Sequence, residues 1–384
     1  MILVVTKNSD TFSNPTLFGL FKFLEERKIK SILICTENFF NYKFNYNKII
    51  IWQKQPNYRA KNIFKTSCAL FIYIKQKFFI QFVSKKVTTI IGVDPEGIIW
   101  ADEIRHHYIP NATLDYLSFE IFWKHAYKNK KKEIEACKRL RNLIVQDALR
   151  EKLLRSESQI NNNIKTFYIP VAIPDFKEKF NNDKVVDIRR KYNISSDKKL
   201  IVFFGTFAKW SGGELIYELI NNKKLPDNYV LIIHSRYPFN SKDDLQNRMI
   251  QLANERENFF ISTDYISSFN QTIDYLTQFD LGFVFYVPDF NNMYVGENIY
   301  NIGLASGKFS QYMKAGLPAI TVNLPTYVEL NNEYNFGYTI NTVDEIPVIL
   351  NNNINYKLLS QNTLRLFKEK LNPTIRLNQY IDQL

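Results

Sequence analysis

The chain has 384 residues, 45% hydrophobic and 23% charged, with 31 Phe and 23 Tyr but only 12 Gly and 13 Pro. That composition excludes a disordered or fibrous chain and gives length for about two domains. The net charge of +12 is uneven, with 28 Lys+Arg against 15 Asp+Glu in residues 1–170 and 22 against 23 in residues 171–384, which argues against a uniformly basic nucleic-acid coat protein.

From the first residue, short β-branched runs alternate with helix-length segments. Met-Ile-Leu-Val-Val-Thr at the N-terminus lacks a basic leader and a small-residue cleavage site, so it reads as a first strand. Further strands are expected at 31–35, 48–52, 88–93, 113–117 and 143–146, with helices at 15–27, 63–84 and 130–139. This βαβ rhythm predicts a mostly parallel sheet covered by helices on both faces. The 63–83 segment is apolar but interrupted by Lys65, Lys75 and Lys77. It falls short of the ~18 uncharged residues of a membrane span. It reads either as a core helix whose lysine stems snorkel or as a helix docking on an anionic bilayer. Cys35, Cys68 and Cys137 lack metal spacing and cannot all pair, so a reduced, cytosolic chain is expected.

The extended Ile169-Pro170-Val171-Ala172-Ile173-Pro174 passage reads as a domain boundary. After it the rhythm restarts, with strands expected at 200–204, 229–234, 259–262, 281–286 and 319–322 and helices at 214–221, 242–255, 270–278 and 308–314. Residues 356–384 read as terminal helices broken at Pro373. The fold class is therefore α/β, with two doubly wound, Rossmann-like domains facing across a cleft, the usual place for a ligand.

Most catalytic signatures are absent: there is no P-loop, no Gly-x-Ser-x-Gly elbow and no His/Cys metal cluster. His106, His107, His125 and His234 each read as structural. Two glycine-bearing strand ends are more informative. Phe203-Phe204-Gly205-Thr206-Phe207-Ala208-Lys209 leads from a strand into a helix, where glycine lets backbone approach a ligand and free amides favour phosphate. An ordinary βα turn has the same look. The second is Ser306-Gly307-Lys308-Phe309-Ser310-Gln311-Tyr312-Met313-Lys314-Ala315-Gly316-Leu317-Pro318, a Ser-capped helix that begins with lysine and stops at glycine. Lysine in a first helical turn opposes the helix dipole, so a bound anion rationalises it; a solvated lysine is the plain alternative.

Together with Asp280-Leu281-Gly282-Phe283-Val284-Phe285-Tyr286, this second stretch resembles the donor-site signature of B-type (GT-B) glycosyltransferases, closest to the retaining family-4 group, where Ser-x-Lys precedes a helix ending in Ala-Gly-x-Pro. The resemblance implies that residues 1–170 bind the acceptor, residues 171–365 bind a nucleotide-sugar, and residues 366–384 form a helical tail packing back on the first domain. It implies that Gly205, Thr206, Lys209, Ser306, Gly307 and Lys308 hold the diphosphate, with Lys308 neutralising the leaving group. Arg236 is a second phosphate candidate, and the loop around Asp264-Tyr265-Ile266 would cradle the base. Gln311 stands where the family has a glutamate on the ribose. The partner glutamate of the family's pair falls near Gly303, so sugar contacts are expected from Asn301, Glu297 or backbone amides.

In the basic half, Gly92-Val93-Asp94-Pro95-Glu96-Gly97 and Leu117-Ser118-Phe119-Glu120 end expected strands on the cleft side. Asp94, Glu96 and Glu120 are the catalytic candidates, orienting an acceptor hydroxyl or supporting charge on the sugar. Turn, cap and ion-pair roles are the alternatives. The expected activity is transfer from a UDP- or GDP-linked sugar to a saccharide or lipid-diphosphate-linked acceptor in surface-polysaccharide assembly, retaining and without a metal or other cofactor. The basic half, with Lys128–Lys132, suggests an enzyme peripheral on the inner face of the cell membrane, and no nucleic acid is expected as partner. A non-catalytic basic protein holding a polyanion, nucleic acid or polysaccharide, is the rival reading.

Overall fold

In the computed structural model, residues 1–7, 13–36, 47–51, 80–82, 84–176, 185–266, 268–292 and 295–384 are described. Seven parallel strands form the first sheet: β1 (Ile2–Val5), β2 (Ser31–Cys35), β3 (Asn47–Ile51), β4 (Thr89–Val93), β5 (Thr113–Leu117), β6 (Asn142–Val145) and β7 (Lys165–Tyr168), in the order β3-β2-β1-β4-β5-β6-β7. Six form the second: β8 (Lys199–Phe204), β9 (Tyr229–His234), β10 (Phe259–Ser262), β11 (Leu281–Val284), β12 (Ala319–Val322) and β13 (Gly337–Ile340), in the order β10-β9-β8-β11-β12-β13. Near-continuous Ile/Val/Leu runs, apolar on both faces, are what a parallel sheet covered by helices requires.

The chain divides into two compact units, Met1–Pro174 with Pro373–Leu384, and Asp175–Asn372. Both divisions lie further along the chain than 170/171 and 365/366. The Pro-flanked passage is held by the first unit, where the Thr16 hydroxyl donates to the Pro170 carbonyl at 3.0 Å and Gly19 leaves room for the Pro174 ring. Leu366, Phe367 and Leu371 are buried, and the second unit keeps them. The closing helix Thr374–Ile381 is seated in the first unit: Tyr380 is buried, its hydroxyl donates to Asp115 at 2.9 Å, and its ring meets Phe167 edge-on.

Several elements depart from the sequence expectation. Asp94-Pro95-Glu96-Gly97 opens a helix, Asp94–Tyr108, rather than ending as a free turn. Its weak amphipathic signal hides that Ile98, Trp100, Ala101 and Ile104 are core residues, each large one contributing about 1.5–3 kcal/mol by burial. Gly97 lets this helix close on β1, because a Cβ there would stand 2.7 Å from the Val5 carbonyl oxygen. Helices Ala148–Ser158 and Pro325–Tyr334 and the edge strands β7 and β13 had no clear periodic signal; in β7 only Phe167 is buried. The 63–83 segment lies almost wholly outside the described residues. In the basic run at 128–132, Lys130 is internal, buried against Glu133 at 2.9 Å and not part of a solvated surface. Among the described residues, no helix is long and apolar enough to cross a membrane.

Candidate functional site

In the second sheet, strand order reverses between β8 and β11, and the carboxyl ends of these strands frame the crevice where doubly wound folds take ligands. Helix Gly307–Lys314 starts at this point. Ser306 caps it, accepting from the Phe309 amide at 3.1 Å while sharing a hydrogen bond of 2.9 Å with the Tyr286 hydroxyl just beyond β11. The helix is locked to the sheet by Tyr312, fully buried, whose hydroxyl accepts from the Phe204 amide at 2.9 Å. Gly282 on β11 makes space for that ring: a Cβ there would fall 2.2 Å from it.

Lys308 is then carried over the crevice. Its ammonium lies 3.7 Å from the centre of the Phe203 ring and 5.6 Å from that of Tyr286. The Nζ is shielded from solvent and has no hydrogen-bond partner. Burial pushes its pKa down from 10.5 to about 7. A buried, unpaired ammonium is costly, and the residue type and place fit an anion that completes it. Gly205, at φ +107°, faces the same point, since a Cβ on it would be 3.6 Å from Lys308 Cε. First-turn amides of the helix have no intrahelical acceptor and add to the positive end. Gln311, one turn along, also holds a buried side-chain oxygen without a partner.

Gly205, Ser306, Gly307, Lys308 and Gln311 are thus brought together. Other donor candidates are placed differently. Lys209, in the short turn Lys209–Ser211, is 81% exposed in its side chain and stands 3.9 Å from Glu214, so the structure does not aim it at Lys308. Thr206 is exposed, and its carbonyl accepts from Ser211 at 2.8 Å. Arg236 and Tyr265 are exposed on the loops after β9 and β10, Tyr265 at 89%. The base of the latter loop is fixed by Asp264, which pairs with Lys191 at 2.6 Å and accepts from Ser262. The Asn301 amide donates to the Glu297 carboxylate at 3.2 Å, so these two expected sugar contacts hold each other.

Sequence reasoning gave no role to Phe203 and Tyr286, although both lie in the quoted motifs; they are the aromatic shelf of Lys308. His234, buried at the end of β9, stacks on Phe204 with ring centres 4.9 Å apart and reaches Ser262 at 3.2 Å; burial lowers its pKa to about 4, so it is neutral. Among the described residues, no group of three or more His, Cys, Asp or Glu side chains could hold a metal.

In the first unit, the order reverses between β1 and β4. Asp94 follows β4 with a left-handed backbone (φ +61°), and one buried carboxylate oxygen accepts from the Phe119 and Glu120 amides at 2.7 and 2.9 Å. That engagement makes Asp94 a brace for the loop after β5. Glu96 is paired with Lys7 at 2.7 Å. Glu96 and Glu120 both reach solvent while Asp94 is buried; around Glu120, desolvation and Asp94 push the carboxyl up, to about 7, against the pull of Arg150.

No protein-family model matches the chain, and no curated protein matches it in sequence. Solved structures match along its length. HepE of Anabaena in complex with UDP-glucose superposes with a TM-score of 0.69 at 12% identity, covering 100% of this chain and 98% of that one. A glycosyltransferase of Rickettsia africae gives 0.68 at 13% identity, with 100% and 97% covered. WaaG, a glycosyltransferase involved in lipopolysaccharide biosynthesis, gives 0.62 at 10%, with 100% and 99% covered. The chain therefore has the fold of two-Rossmann-domain, GT-B-type proteins. At such identities the fold is what is shared, and the chemistry is argued from the site.

Proposed function

We propose that the protein is a nucleotide-sugar-dependent glycosyltransferase whose second unit binds the donor. The observation that carries this reading is Lys308: a shielded, unpartnered ammonium at the β8–β11 reversal, beside Gly205 and at the start of a capped helix. A diphosphate seated there gives Lys308 the counter-charge it lacks, and its protonated form stabilises the departing nucleoside diphosphate as the glycosidic bond breaks. Lysine and helix amides supply positive charge to that group without calling on a metal ion. UDP-glucose in HepE supports a uridine diphosphate sugar here, with a guanosine diphosphate sugar as the alternative donor.

Retention of configuration follows the resemblance to family-4 enzymes. The acceptor is a saccharide or a lipid-diphosphate-linked saccharide, taken by the basic first unit. The excess of 28 basic over 15 acidic residues in 1–170 supports an anionic acceptor or docking on the inner membrane surface, and with it a cytoplasmic enzyme peripheral to the membrane.

Thermal-shift titration against UDP-, GDP- and CMP-sugars tests the donor site. Stabilisation by one nucleotide that disappears in Lys308→Ala supports the reading. An absence of any shift at millimolar ligand overturns it. Sedimentation of the full chain with anionic and neutral vesicles at physiological salt tests the membrane component.

A further inference from the structure

The loop that follows β5 has an unusual property: every backbone polar group of its three residues is engaged. The Ser118 amide donates to the Ile144 carbonyl at 3.0 Å, and the Ser118 carbonyl accepts from the buried Gln146 side chain at 2.8 Å. The Phe119 amide donates to Asp94, and the Phe119 carbonyl accepts from the Arg150 guanidinium, which is 2% exposed. The Glu120 amide donates to the same Asp94 oxygen, and the Glu120 carbonyl accepts from the Ser118 hydroxyl at 2.8 Å.

An irregular loop normally leaves such groups to water. Here three elements, the start of helix Asp94–Tyr108, the end of β6 and helix Ala148–Ser158, commit buried polar side chains to one tripeptide. Asp94 does so from a left-handed backbone preceding a proline, a conformation that surrounding structure must enforce. Behind the loop, the buried Lys130–Glu133 pair braces the same strand through the Tyr116 hydroxyl at 3.2 Å from Glu133. All this effort immobilises a segment whose only ionisable side chain, Glu120, reaches solvent at the carboxyl edge of the sheet.

We propose that the Ser118–Glu120 loop is a preassembled rest for an acceptor hydroxyl, in which the Glu120 carboxylate accepts the hydroxyl's hydrogen bond and Asp94, Arg150 and Gln146 are positioning residues that hold it there. The proposal rests on the glycosyltransferase reading and adds to it the residue that orients the acceptor. Rigid placement of this kind is where orientation effects arise, and small displacement is costly. The charged groups facing Glu120 are Asp94, which raises its pKa, and Arg150, which lowers it and is itself flanked by Asp147. The Lys130–Glu133 pair is neutralised internally.

Acceptor-dependent transfer is measured across pH for the wild-type chain, Glu120→Gln, Asp94→Ala, Asp94→Asn and Arg150→Met, with nucleotide affinity as the control for folding. Glu120→Gln is expected to lower kcat/KM for the acceptor about 100-fold, with nucleotide affinity within about two-fold, because the donor groups lie in the other unit. Asp94→Ala is expected to lose activity that Asp94→Asn restores near pH 8, since the amide oxygen still accepts from both backbone N–H groups. The acidic limb of the pH profile moves down in Asp94→Asn and up in Arg150→Met, opposite shifts that a merely structural role does not produce. Carbon-13 NMR of the glutamate carboxyls, assigned with Glu120→Gln, follows the same titration without turnover. Glu120 titrating near the ordinary ~4.3, equal limbs in the two variants, or more than about a tenth of activity left in Glu120→Gln overturns the proposal. If instead the nucleotide fails to bind while Glu120 titrates high and shifts as stated, the loop stands as built and the donor reading falls.

Discussion

The Phe204 amide donates to the Tyr312 hydroxyl at 2.9 Å, and the same hydroxyl reaches the Val202 carbonyl at 3.3 Å, so this ring pins to the sheet the helix that carries Lys308. Phe204 is the last residue of β8, and Tyr312 sits one turn beyond Lys308 on helix Gly307–Lys314. Without these bonds, the helix could slide along the sheet and its first turn would lose the Phe203 shelf. Removing the hydroxyl in Tyr312→Phe leaves a buried amide unpaired, so stability should fall by about 1–3 kcal/mol. Urea unfolding measures this, and an unchanged midpoint would show that the amide finds another acceptor.

Lys308→Met should raise the stability of the ligand-free protein while abolishing nucleotide binding. The substitution removes an unpaired, shielded ammonium and leaves an apolar chain over Phe203. The gain expected is about 1–3 kcal/mol. Denaturant midpoints and a nucleotide-sugar titration on the same samples test both halves, and a lower midpoint contradicts the burial argument.

The pH dependence of that stability has a definite sign. The folded-state pKa of Lys308, about 7, lies below the ordinary 10.5, so between these values the unfolded chain binds more protons. Stability contributed by this group therefore rises from pH 7 toward 10.5, and the penalty is full below pH 7. Binding of a nucleotide-sugar at pH 8 should take up close to one proton, and affinity should fall as pH rises above 7. Calorimetry in buffers of different ionisation heats reads the uptake directly; none would mean that Lys308 is already charged.

Lys209→Ala should change nucleotide affinity by less than about two-fold, because an exposed pair at 3.9 Å is worth little. A ten-fold loss would show that this turn moves onto the ligand.

Gly282→Ala should be poorly tolerated. The new methyl would sit 2.2 Å from the Tyr312 ring in a packed interior, and overpacking of this kind costs about 1–3 kcal/mol. Because the displaced ring carries the Phe204 bond, nucleotide affinity should fall together with the unfolding midpoint. Loss of stability with affinity intact would separate the ring's position from the site.

Tyr380→Phe and removal of residues 373–384 test the closing helix. Tyr380 spans 265 residues to reach Asp115, which also takes two bonds from Arg141. The point substitution should lower stability by about 1–2 kcal/mol, and truncation should make the first unit susceptible to protease before the second.

How much was legible differs between the two units for a physical reason. In the second, the functional groups lie close along the chain, within local motifs: a serine cap, a lysine in the first turn, a glycine stop and the Gly205 turn. Local chemistry of that kind is written in residue spacing, which is why the helix Gly307–Lys314 and its Ser306 cap were expected almost residue for residue. In the first, the relevant relation joins residues 25 or 26 positions apart, Asp94 to Phe119 and Glu120. Asp-Pro-Glu-Gly looks like a turn by composition, and nothing in its neighbours announces that the carboxylate is turned inward onto another loop.

The sequence by itself determined the alternation of strand and helix, the parallel sheets that follow from it, the charge asymmetry and the capped start of helix Gly307–Lys314. Tertiary structure alone decided that Lys308 lies over Phe203 without a hydrogen-bond partner, that Lys209 stays in solvent, and that Asp94 accepts from the Phe119 and Glu120 amides. Periodicity and capping are properties of a few consecutive residues. Desolvation and pairing depend on which distant side chains arrive at the same place.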